Sequence, residues 1–274
     1  MSPIVSIVIP VMNGMPYIKE AISSALTGSM QDIEVIVSDN VSDDGTSEYL
    51  RSLNDPRLIV IRPLKRVSAA ENWNHVTTAA KGEYVKLLCA DDTISTNCLE
   101  NQVAAMTSYP NVVLVASKRK VVDDGGKIVL KSHGLLFLSG KIDGKRALRN
   151  SVVTGTNQFG EPASVLLKRN VLFSCLPWDS KEPYVTDLDM YSKMLMHGDF
   201  VGLKTTDATF RLSKNSWSQT IGDKQSEQFN RWLLSLYLSN HSEINKFWFS
   251  TGLIASKISN RLRGIITSFS SRRK

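Results

Sequence analysis

Two adjacent carboxylates, Asp91 and Asp92, directly follow a short apolar run over residues 85–89. Such a run, preceded by a glycine-containing loop and followed by a turn, is typical of a buried parallel strand. In open α/β sheets, ligands bind beyond the carboxyl ends of the strands. Neighbouring carboxylates repel unless a cation or hydrogen-bond donors compensate them, and Mg²⁺ takes one or two protein carboxylates together with phosphate oxygens. The pair therefore favours a divalent metal that carries a diphosphate; the alternative is a solvated turn that caps a helix starting near Ser95 or Thr96.

Two strand-helix units precede this pair and place polar loops at the same sheet edge. Residues 4–9 alternate serine with β-branched residues and stop at Pro10, before a loop that contains Asn13. The second strand, 33–38, stops at Asp39. The carboxylates of Asp39 and Asp44 can accept hydrogen bonds from a base or sugar edge. The alternative is that both are ordinary turn and helix-cap residues.

A third strand over residues 58–61 leads into a helix that carries Asn72. Asparagine has poor helix propensity, so inside a helix it needs a partner. We expect Asn72 either to orient the loop of Asp91 and Asp92 or to be a surface residue.

Composition limits the class of protein. With 274 residues and 42% hydrophobic content, the chain can bury one α/β core with a small appended segment. The three cysteines lack the spacing of a disulfide framework or a zinc site, which fits a reducing cytosol. The apolar N-terminus is shorter than a signal core and is predicted to be the first strand. The sequence contains neither GxGxxG nor a Walker-type loop, which argues against dinucleotide enzymes and phosphate-loop ATPases.

The net charge of +7 is concentrated at the C-terminus. Residues 244–274 contain no Asp or Glu, and their basic residues match the net charge of the whole chain: Lys246, Lys257, Arg261, Arg263, Arg272, Arg273 and Lys274. The remaining body is near neutral and lacks an interleaved aromatic and basic surface, so no nucleic-acid partner is predicted.

The series of motifs resembles glycosyltransferase family 2. The resemblance runs over about residues 4–215 and rests on the first strand with Asn13, the loop of Asp39 and Asp44, Asn72, and residues 81–92. It implies an α/β fold of the GT-A type, with a mixed, mostly parallel sheet flanked by helices and a C-terminal helical tail. It also implies an inverting, metal-dependent enzyme that uses a nucleotide-diphosphate sugar. We expect a catalytic domain over residues 1–222 and an amphipathic basic helical segment over 223–274.

The resemblance also implies roles for particular residues. Asp39 would bind the base, Asp91 the ribose or sugar of the donor, and Asp92 the metal, Mg²⁺ or Mn²⁺, on the diphosphate. Arg211 would face the diphosphate. The set expected to bind the nucleotide sugar is Pro10, Asn13, Asp39, Asp44, Asn72, Asp91 and Arg211.

Residues 160–169 are similar to the family's acceptor-side strand, and residues 186–191 to its acidic motif at the start of a helix. In that alignment Asp187 takes the position of the general base, with Asp189 as the second candidate. Inversion requires an acceptor hydroxyl to attack opposite the leaving diphosphate, and a carboxylate on the acceptor face can take its proton. Asp187 could instead be a first-turn carboxylate favoured by the helix dipole.

The chain departs from the family pattern at two places. Ser213 stands where a metal-binding histidine is often found, and Cys89-Ala90 stands in place of a further aspartate before the acidic pair. Metal binding is therefore expected to be weaker, or to be completed by water.

The tail predicts two helices, over residues 226–239 and from residue 243 onward. The neutral run between Lys246 and Lys257 is too short to span a bilayer. We expect an interfacial helix at the inner face of the membrane, which suggests a cytoplasmic, peripheral enzyme with a glycan or polyprenyl-linked acceptor, as in bacterial surface polysaccharide synthesis. The alternative is a helix packed on the domain with a solvated basic face.

Three other functions remain open from the sequence. A nucleotidyltransferase would use the same nucleotide and metal pocket without needing Asp187. A sugar-nucleotide binder without turnover is motivated by Ser213. A basic nucleic-acid-binding protein is the third possibility, and the confined charge of the tail argues against it.

Overall fold

A single mixed sheet forms the centre of the protein in a computed structural model that describes residues 2–179, 181–213, 224–239 and 243–271, with side chains to residue 261. Its main path runs in the order β3-β2-β1-β4-β9-β6-β10-β5, with β7 paired to β6 and β8 to β10. The strands are β1 (Val5–Val11), β2 (Ile33–Asp39), β3 (Leu58–Ile61), β4 (Tyr84–Leu87), β5 (Thr93–Ile94), β6 (Val112–Asp123), β7 (Ile128–His133), β8 (Gly140–Ile142), β9 (Val165–Lys168) and β10 (Asp199–Leu212).

The N-terminal half of the sheet is parallel. Strands β3, β2, β1 and β4 pair side by side in one direction, and every residue of β1, β2 and β4 is buried. Burial on both faces accounts for the apolar character of these strands. The loops after all four strands consequently lie at one edge, as the sequence predicted.

Strand β9 joins this half to the second half. It runs antiparallel to both β4 and β6, whereas β6 and β10 pair in parallel. Most paired residues nevertheless lie in parallel ladders, and the predicted mixed, mostly parallel sheet flanked by helices is confirmed.

Helices cover both faces of the sheet, and each face has its own apolar core. Helix α3 begins with a capping box in which Ser68 and Glu71 exchange side-chain and backbone hydrogen bonds. The helices are α1 (Ile18–Leu26), α2 (Thr46–Ser52), α3 (Ala69–Thr78), α4 (Cys98–Thr107), α5 (Gly144–Thr154), α6 (Arg169–Cys175), α7 (Thr186–Met194), α8 (Gln225–Leu238) and α9 (Lys246–Ser271), with short 3-10 helices at Pro162–Ser164 and Pro183–Val185.

The two C-terminal helices pack on the body of the protein. Phe229 and Trp232 of α8 are buried in the same core as Leu148 and Val152 of α5. Gly155, which ends α5 at φ 65°, leaves no room for a Cβ against residues 255 and 256 of α9, so the two helices touch through their backbones. Within the described part of the chain, no helix is both long and apolar enough to cross a bilayer. The expected boundary at 222/223 and the basic cluster at 272–274 lie outside the described residues.

Candidate active site

The loops after β1 and β2 are tied together by hydrogen bonds. The backbone N–H of Asn13 donates to Ser42 Oγ (2.9 Å), and the Asn13 side chain donates to Asp43 Oδ1 (2.8 Å). Asp44 accepts from the N–H groups of Met15 (2.9 Å) and Thr46 (3.0 Å). Burial opposes the ionisation of Asp44, but these hydrogen bonds outweigh it and lower its pKa. Asn13 and Asp44, both predicted to bind the donor, thus form a braced rim.

Asp39 lies at the end of β2 and is almost completely buried. Its carboxylate accepts hydrogen bonds from the Ser42 N–H (3.0 Å) and the Ser47 hydroxyl (2.5 Å). Burial again acts against the charged form, and the hydrogen bonds from Ser42 and Ser47 lower the pKa below its ordinary value. Asp39 therefore lies in the floor of the loop cluster as a permanent negative charge.

Asn72 is buried and fixes the ends of β1 and β2. It accepts from Ser38 Oγ (2.6 Å) and donates to the carbonyl oxygens of Ser38 (3.2 Å) and Val11 (3.5 Å). The surface alternative was wrong, because Asn72 is buried, and among the described residues its hydrogen bonds go to β1 and β2 and not to the loop of Asp91 and Asp92. The reason is that α3 packs across β1 and β2. The role of Asn72 in binding the nucleotide sugar stays a prediction. Pro10 lies within β1, opposite Ser38, one residue before the strand ends.

Asp91 and Asp92 follow β4 and are poorly solvated. Burial, reinforced by the charge of Asp91, raises the pKa of Asp92 well above its usual range, and burial also raises that of Asp91. Asp92 Oδ1 accepts from the N–H of Arg211 (3.0 Å), while Oδ2 has no hydrogen-bond partner among the described residues. Neither aspartate caps α4, which begins after Asn97. The solvated-turn alternative therefore fails.

The side chain of Arg211 braces this acidic loop. Its guanidinium donates to the carbonyl of Asp91 (3.2 Å), forms an ion pair with Glu20 (2.6 Å) and lies over the ring of Tyr17 (4.6 Å). Ser213, in place of the family's histidine, donates to Asp91 Oδ2 (2.9 Å).

The residues present fit a hard divalent cation held partly by a ligand. No group of three or more His, Cys, Asp or Glu side chains within the described ranges is arranged to hold a metal by itself. The orphaned, buried Oδ2 of Asp92 and the adjacent carboxylate of Asp91 supply the one or two oxygens that Mg²⁺ usually takes from protein. Phosphate oxygens and water would complete such a site.

Asp187 lies in the first turn of α7 and is held by Asn157, whose side-chain N–H donates to Asp187 Oδ2 (2.9 Å). Burial, together with the charge of Glu161, raises the pKa of Asp187 to about 7. A carboxylate with a pKa near the working pH suits general base catalysis. The second candidate, Asp189, instead pairs with Lys193 (2.6 Å) along the helix.

Several residues near Asp187 were not singled out from the sequence. Arg119 of β6 is buried and forms an ion pair with Glu161. The Tyr191 hydroxyl, one helical turn after Asp187, is buried without a hydrogen-bond partner in the described part of the chain. Burial and the charges of Asp92, Asp91, Asp187 and Glu161 all raise the pKa of the Cys89 thiol. All four carboxylates therefore lie close enough to Cys89 for their charges to act on its thiol.

Comparison with protein families gives a match to the model described as glycosyl transferase family 2 over residues 6–173. An uncharacterized glycosyltransferase of Rickettsia typhi is 31% identical over 203 residues, which cover 71% of this chain and 59% of that protein. A UDP-Glc:alpha-D-GlcNAc-diphosphoundecaprenol beta-1,3-glucosyltransferase of Escherichia coli is 33% identical over 103 residues, covering 38% of this chain and 41% of that protein. The chain thus spans less than two thirds of the length of these relatives.

Solved structures share the fold at low sequence identity. Residues 1–349 of Staphylococcus aureus TarS in complex with UDP-GlcNAc align with a TM-score of 0.70 and 16% identity, covering 96% of this chain and 73% of that one. A mannosyltransferase of Pyrobaculum calidifontis in complex with GDP-Man and Mn²⁺ aligns with a TM-score of 0.64 and 16% identity, covering 93% of this chain and 74% of that one.

Proposed function

The chain belongs to glycosyltransferase family 2 and has the GT-A fold, and on that premise we propose that it transfers a sugar, with inversion, from a nucleotide-diphosphate sugar to an acceptor hydroxyl. The observation that carries the proposal is a pair of unlike carboxylates, Asp92 and Asp187, each of which is affected by the charge of Glu161. Asp92 presents an orphaned buried oxygen, and Asp187 has a pKa of about 7. One suits a metal-bound diphosphate and the other suits a general base.

The donor side would bind the nucleotide in the braced loops. Asp39 offers a permanently charged acceptor to the N–H groups of a base, and the rim of Asn13 and Asp44 holds the pocket in one shape. Asp91 would hold the ribose or the sugar. Because these loops are already ordered by internal hydrogen bonds, little conformational entropy is lost on binding. Solved structures of similar fold contain UDP-GlcNAc or GDP-Man, which supports this class of donor.

Asp92, with Asp91 beside it, would hold the divalent metal on the diphosphate. When bound, Mg²⁺ or Mn²⁺ would offset the negative charge of the diphosphate group. Arg211 keeps the acidic loop in place twice: its guanidinium donates to the Asp91 carbonyl, and its backbone N–H donates to the Asp92 carboxylate. We propose that it also adds positive potential on the diphosphate side.

The acceptor side would supply the base. The acceptor oxygen bonds to the anomeric carbon while the bond from that carbon to the diphosphate oxygen breaks, and the acceptor proton passes to Asp187. The nucleoside diphosphate leaves with the electron pair of the broken bond. Asn157 keeps the carboxylate oriented throughout, because it holds Oδ2 and leaves lone pairs free for the incoming hydroxyl.

We further propose a glycan or polyprenyl-linked acceptor at the inner face of the membrane. The Escherichia coli relative acts, by its name, on a diphosphoundecaprenol-linked sugar. The outer side of α9 exposes Phe247, Ile254 and Ile258 together with Lys257 and Arg261, which suits an anionic lipid surface.

Calorimetric titration with uridine diphosphate, with and without Mn²⁺, tests the donor site. Binding that requires the metal supports the proposal, and the titration is repeated with guanosine and thymidine diphosphates if the uridine compound fails. Absence of binding for all three would overturn it. Mass spectrometry of the products then separates glycosyl transfer from nucleotidyl transfer, since only the first releases a nucleoside diphosphate.

A further inference from the structure

The loop between β7 and β8 holds two large apolar side chains in solvent. Phe137 is 81% exposed and Leu136 is 52% exposed. Their neighbours Leu135 and Leu138 are buried in the core and anchor the loop. Leu136 and Phe137 form what we call the apolar lip.

The backbone of this loop is strained at the aromatic residue. The Leu138 N–H donates to the Leu135 carbonyl (3.0 Å), closing a four-residue turn. Phe137, the third residue of the turn, has φ 60°, and Leu135 has φ 58°. Turns with positive φ at the third residue normally place glycine or asparagine there, and bulky side chains rarely adopt that conformation. Such strain is found where function requires the side chain.

The lip is hydrogen-bonded to the segment that holds the proposed base. Gln158 accepts hydrogen bonds from the N–H groups of Leu135 (2.9 Å, to its carbonyl) and Leu136 (3.1 Å, to its side chain). The residue before it, Asn157, holds the carboxylate of Asp187. The lip is thus joined to the proposed base through two consecutive residues.

Resting on the proposed glycosyl transfer, we infer that the apolar lip is an acceptor subsite in which the Phe137 ring stacks on the face of a sugar ring of a glycan acceptor. An aromatic face is electron-rich and attracts the polarised C–H bonds that a sugar ring presents on one side. Ligand sites combine such apolar surfaces with a few polar groups, here Asp187 and Asn157. Two side chains offer too small an area for a stable dimer, which buries about 800 Å² per partner.

Saturation-transfer NMR of the full chain with a panel of methyl glycosides tests the subsite. The samples contain saturating Mg²⁺, which unlike Mn²⁺ is diamagnetic and leaves the proton signals sharp, and the nucleoside diphosphate that binds in the calorimetric titration. Wild type is expected to saturate C–H protons on one face of at least one sugar ring. Phe137→Asn should weaken that glycoside about tenfold. It should also raise the melting temperature by about 2 °C, because asparagine tolerates positive φ.

Two control variants sharpen the result. Phe137→Tyr keeps the aromatic ring and should retain glycoside binding. Leu238→Asn removes another exposed apolar side chain, at the end of α8, and should leave glycoside binding unchanged. The affinity for the nucleoside diphosphate should be the same in all variants.

Three outcomes overturn the subsite: no methyl glycoside binds wild type, Phe137→Asn binds as wild type does, or Phe137→Asn loses only the binding of phosphatidylglycerol vesicles. The last result would make the lip a membrane contact. A failure of the proposed function is distinct, because in that case no nucleoside diphosphate binds wild type at all.

Discussion

The candidate active site contains aspartates whose pKa values are shifted in opposite directions. On the loops after β1 and β2, which we propose bind the donor and call the donor loops, Asp39 and Asp44 accept hydrogen bonds from backbone and hydroxyl groups. These hydrogen bonds outweigh burial and lower the pKa of both carboxylates. A second group, which we call the acidic region, consists of Asp91, Asp92, Glu161 and Asp187. Burial beside other carboxylates raises the pKa of Asp92 and of Asp187 there. The difference lies in the partners, since burial acts in the same direction on all four of these shifted aspartates.

The contrast matches the two proposed roles, donor binding for the first group and catalysis for the second. A carboxylate whose oxygens are already satisfied stays charged and rigid, which suits the binding of a fixed ligand such as a base. A carboxylate whose charge is poorly compensated has free energy to gain from a cation or a proton. The donor loops are therefore complete in themselves, whereas the acidic region is completed by what binds there.

Removal of the uncompensated charge at Asp92 should have the largest effect. We expect Asp92→Asn to abolish Mn²⁺-dependent binding of the nucleoside diphosphate and to reduce transfer by about 10³-fold or more. The melting temperature of the free protein should not fall, because an amide replaces a carboxylate that is poorly compensated. Calorimetry and a thermal melt measure the two effects. Wild-type diphosphate affinity in this variant would contradict the assignment of Asp92 to the metal.

The proposed base gives the next largest effect. Asp187→Asn should lower kcat by about 10²- to 10⁴-fold while nucleoside diphosphate binding remains as in wild type. The matched control is Asp189→Asn, two residues away, whose carboxylate is already paired with Lys193. That variant should stay within about twofold of wild type. A larger loss at Asp189 than at Asp187 would exchange their roles.

The pH profile tests how the base is tuned. Transfer by wild type should rise with pH through a midpoint near 7, as Asp187 loses its proton. Asn157→Leu removes a hydrogen bond that favours the charged form, so the midpoint should move to higher pH. The midpoint is independent of the amount of folded enzyme, and an unchanged midpoint would show that Asn157 does not position the base.

The same titration affects stability with a definite sign. The pKa of Asp187 is raised in the folded state from an ordinary 3.8 to about 7. Its contribution to the free energy of unfolding is therefore full below about pH 4 and is lost as pH rises through about 7. Asp187→Asn should lose less stability than wild type between those values in urea melts recorded across the pH range. Parallel curves for the two proteins would argue that the carboxyl group is solvated.

The smallest effect on binding is expected from Asp44, on the proposed donor side. Its replacement should lower the stability of the fold, whereas replacement of Asp92 should not. Asp44→Ala removes the acceptor of two backbone N–H groups and should lower the free energy of unfolding by about 1 kcal/mol. Nucleoside diphosphate affinity should fall a few-fold because the rim loosens. Urea unfolding and calorimetry measure both. A gain in stability would mean that the donor loops, like the acidic region, carry uncompensated charge.

The donor half could be predicted from sequence because its signals are local. Strand β2 and the loop of Asp39 and Asp44 follow from short patterns of apolar and turn residues within a single unit. Asp187 was predicted as the base through the resemblance of residues 186–191 to the family's acidic motif, and that role stays a prediction. The polar partners of Asp39, Ser42 and Ser47, lie a few residues away in the chain.

The acidic region required the tertiary structure. Arg119 lies in the middle of β6, and its partner Glu161 comes 42 residues later, so no local pattern joins them. Asn157 lies 30 residues before Asp187, in a stretch that pattern analysis left uninformative. A sequence signal that was available is Glu161 itself, an acid four residues before the apolar strand β9. For Asn72, propensity indicated that a partner was needed but could not say which.

Strand β9 fixes the position of Glu161 relative to Asp92. It pairs Leu167 with Val85 of β4 and with Leu114 of β6, while Glu161 precedes it and Asp92 follows β4. Because Val165, Leu166 and Leu167 are all buried, β9 packs apolar side chains on both faces, and a change of register would move it by whole residues of about 3.3 Å against β4 and β6 at once. The distance between Glu161 and Asp92 can therefore change by the length of a residue or hardly at all. The placement of Glu161 relative to Asp92 is therefore set by the register of two strand ladders and not by a single loop.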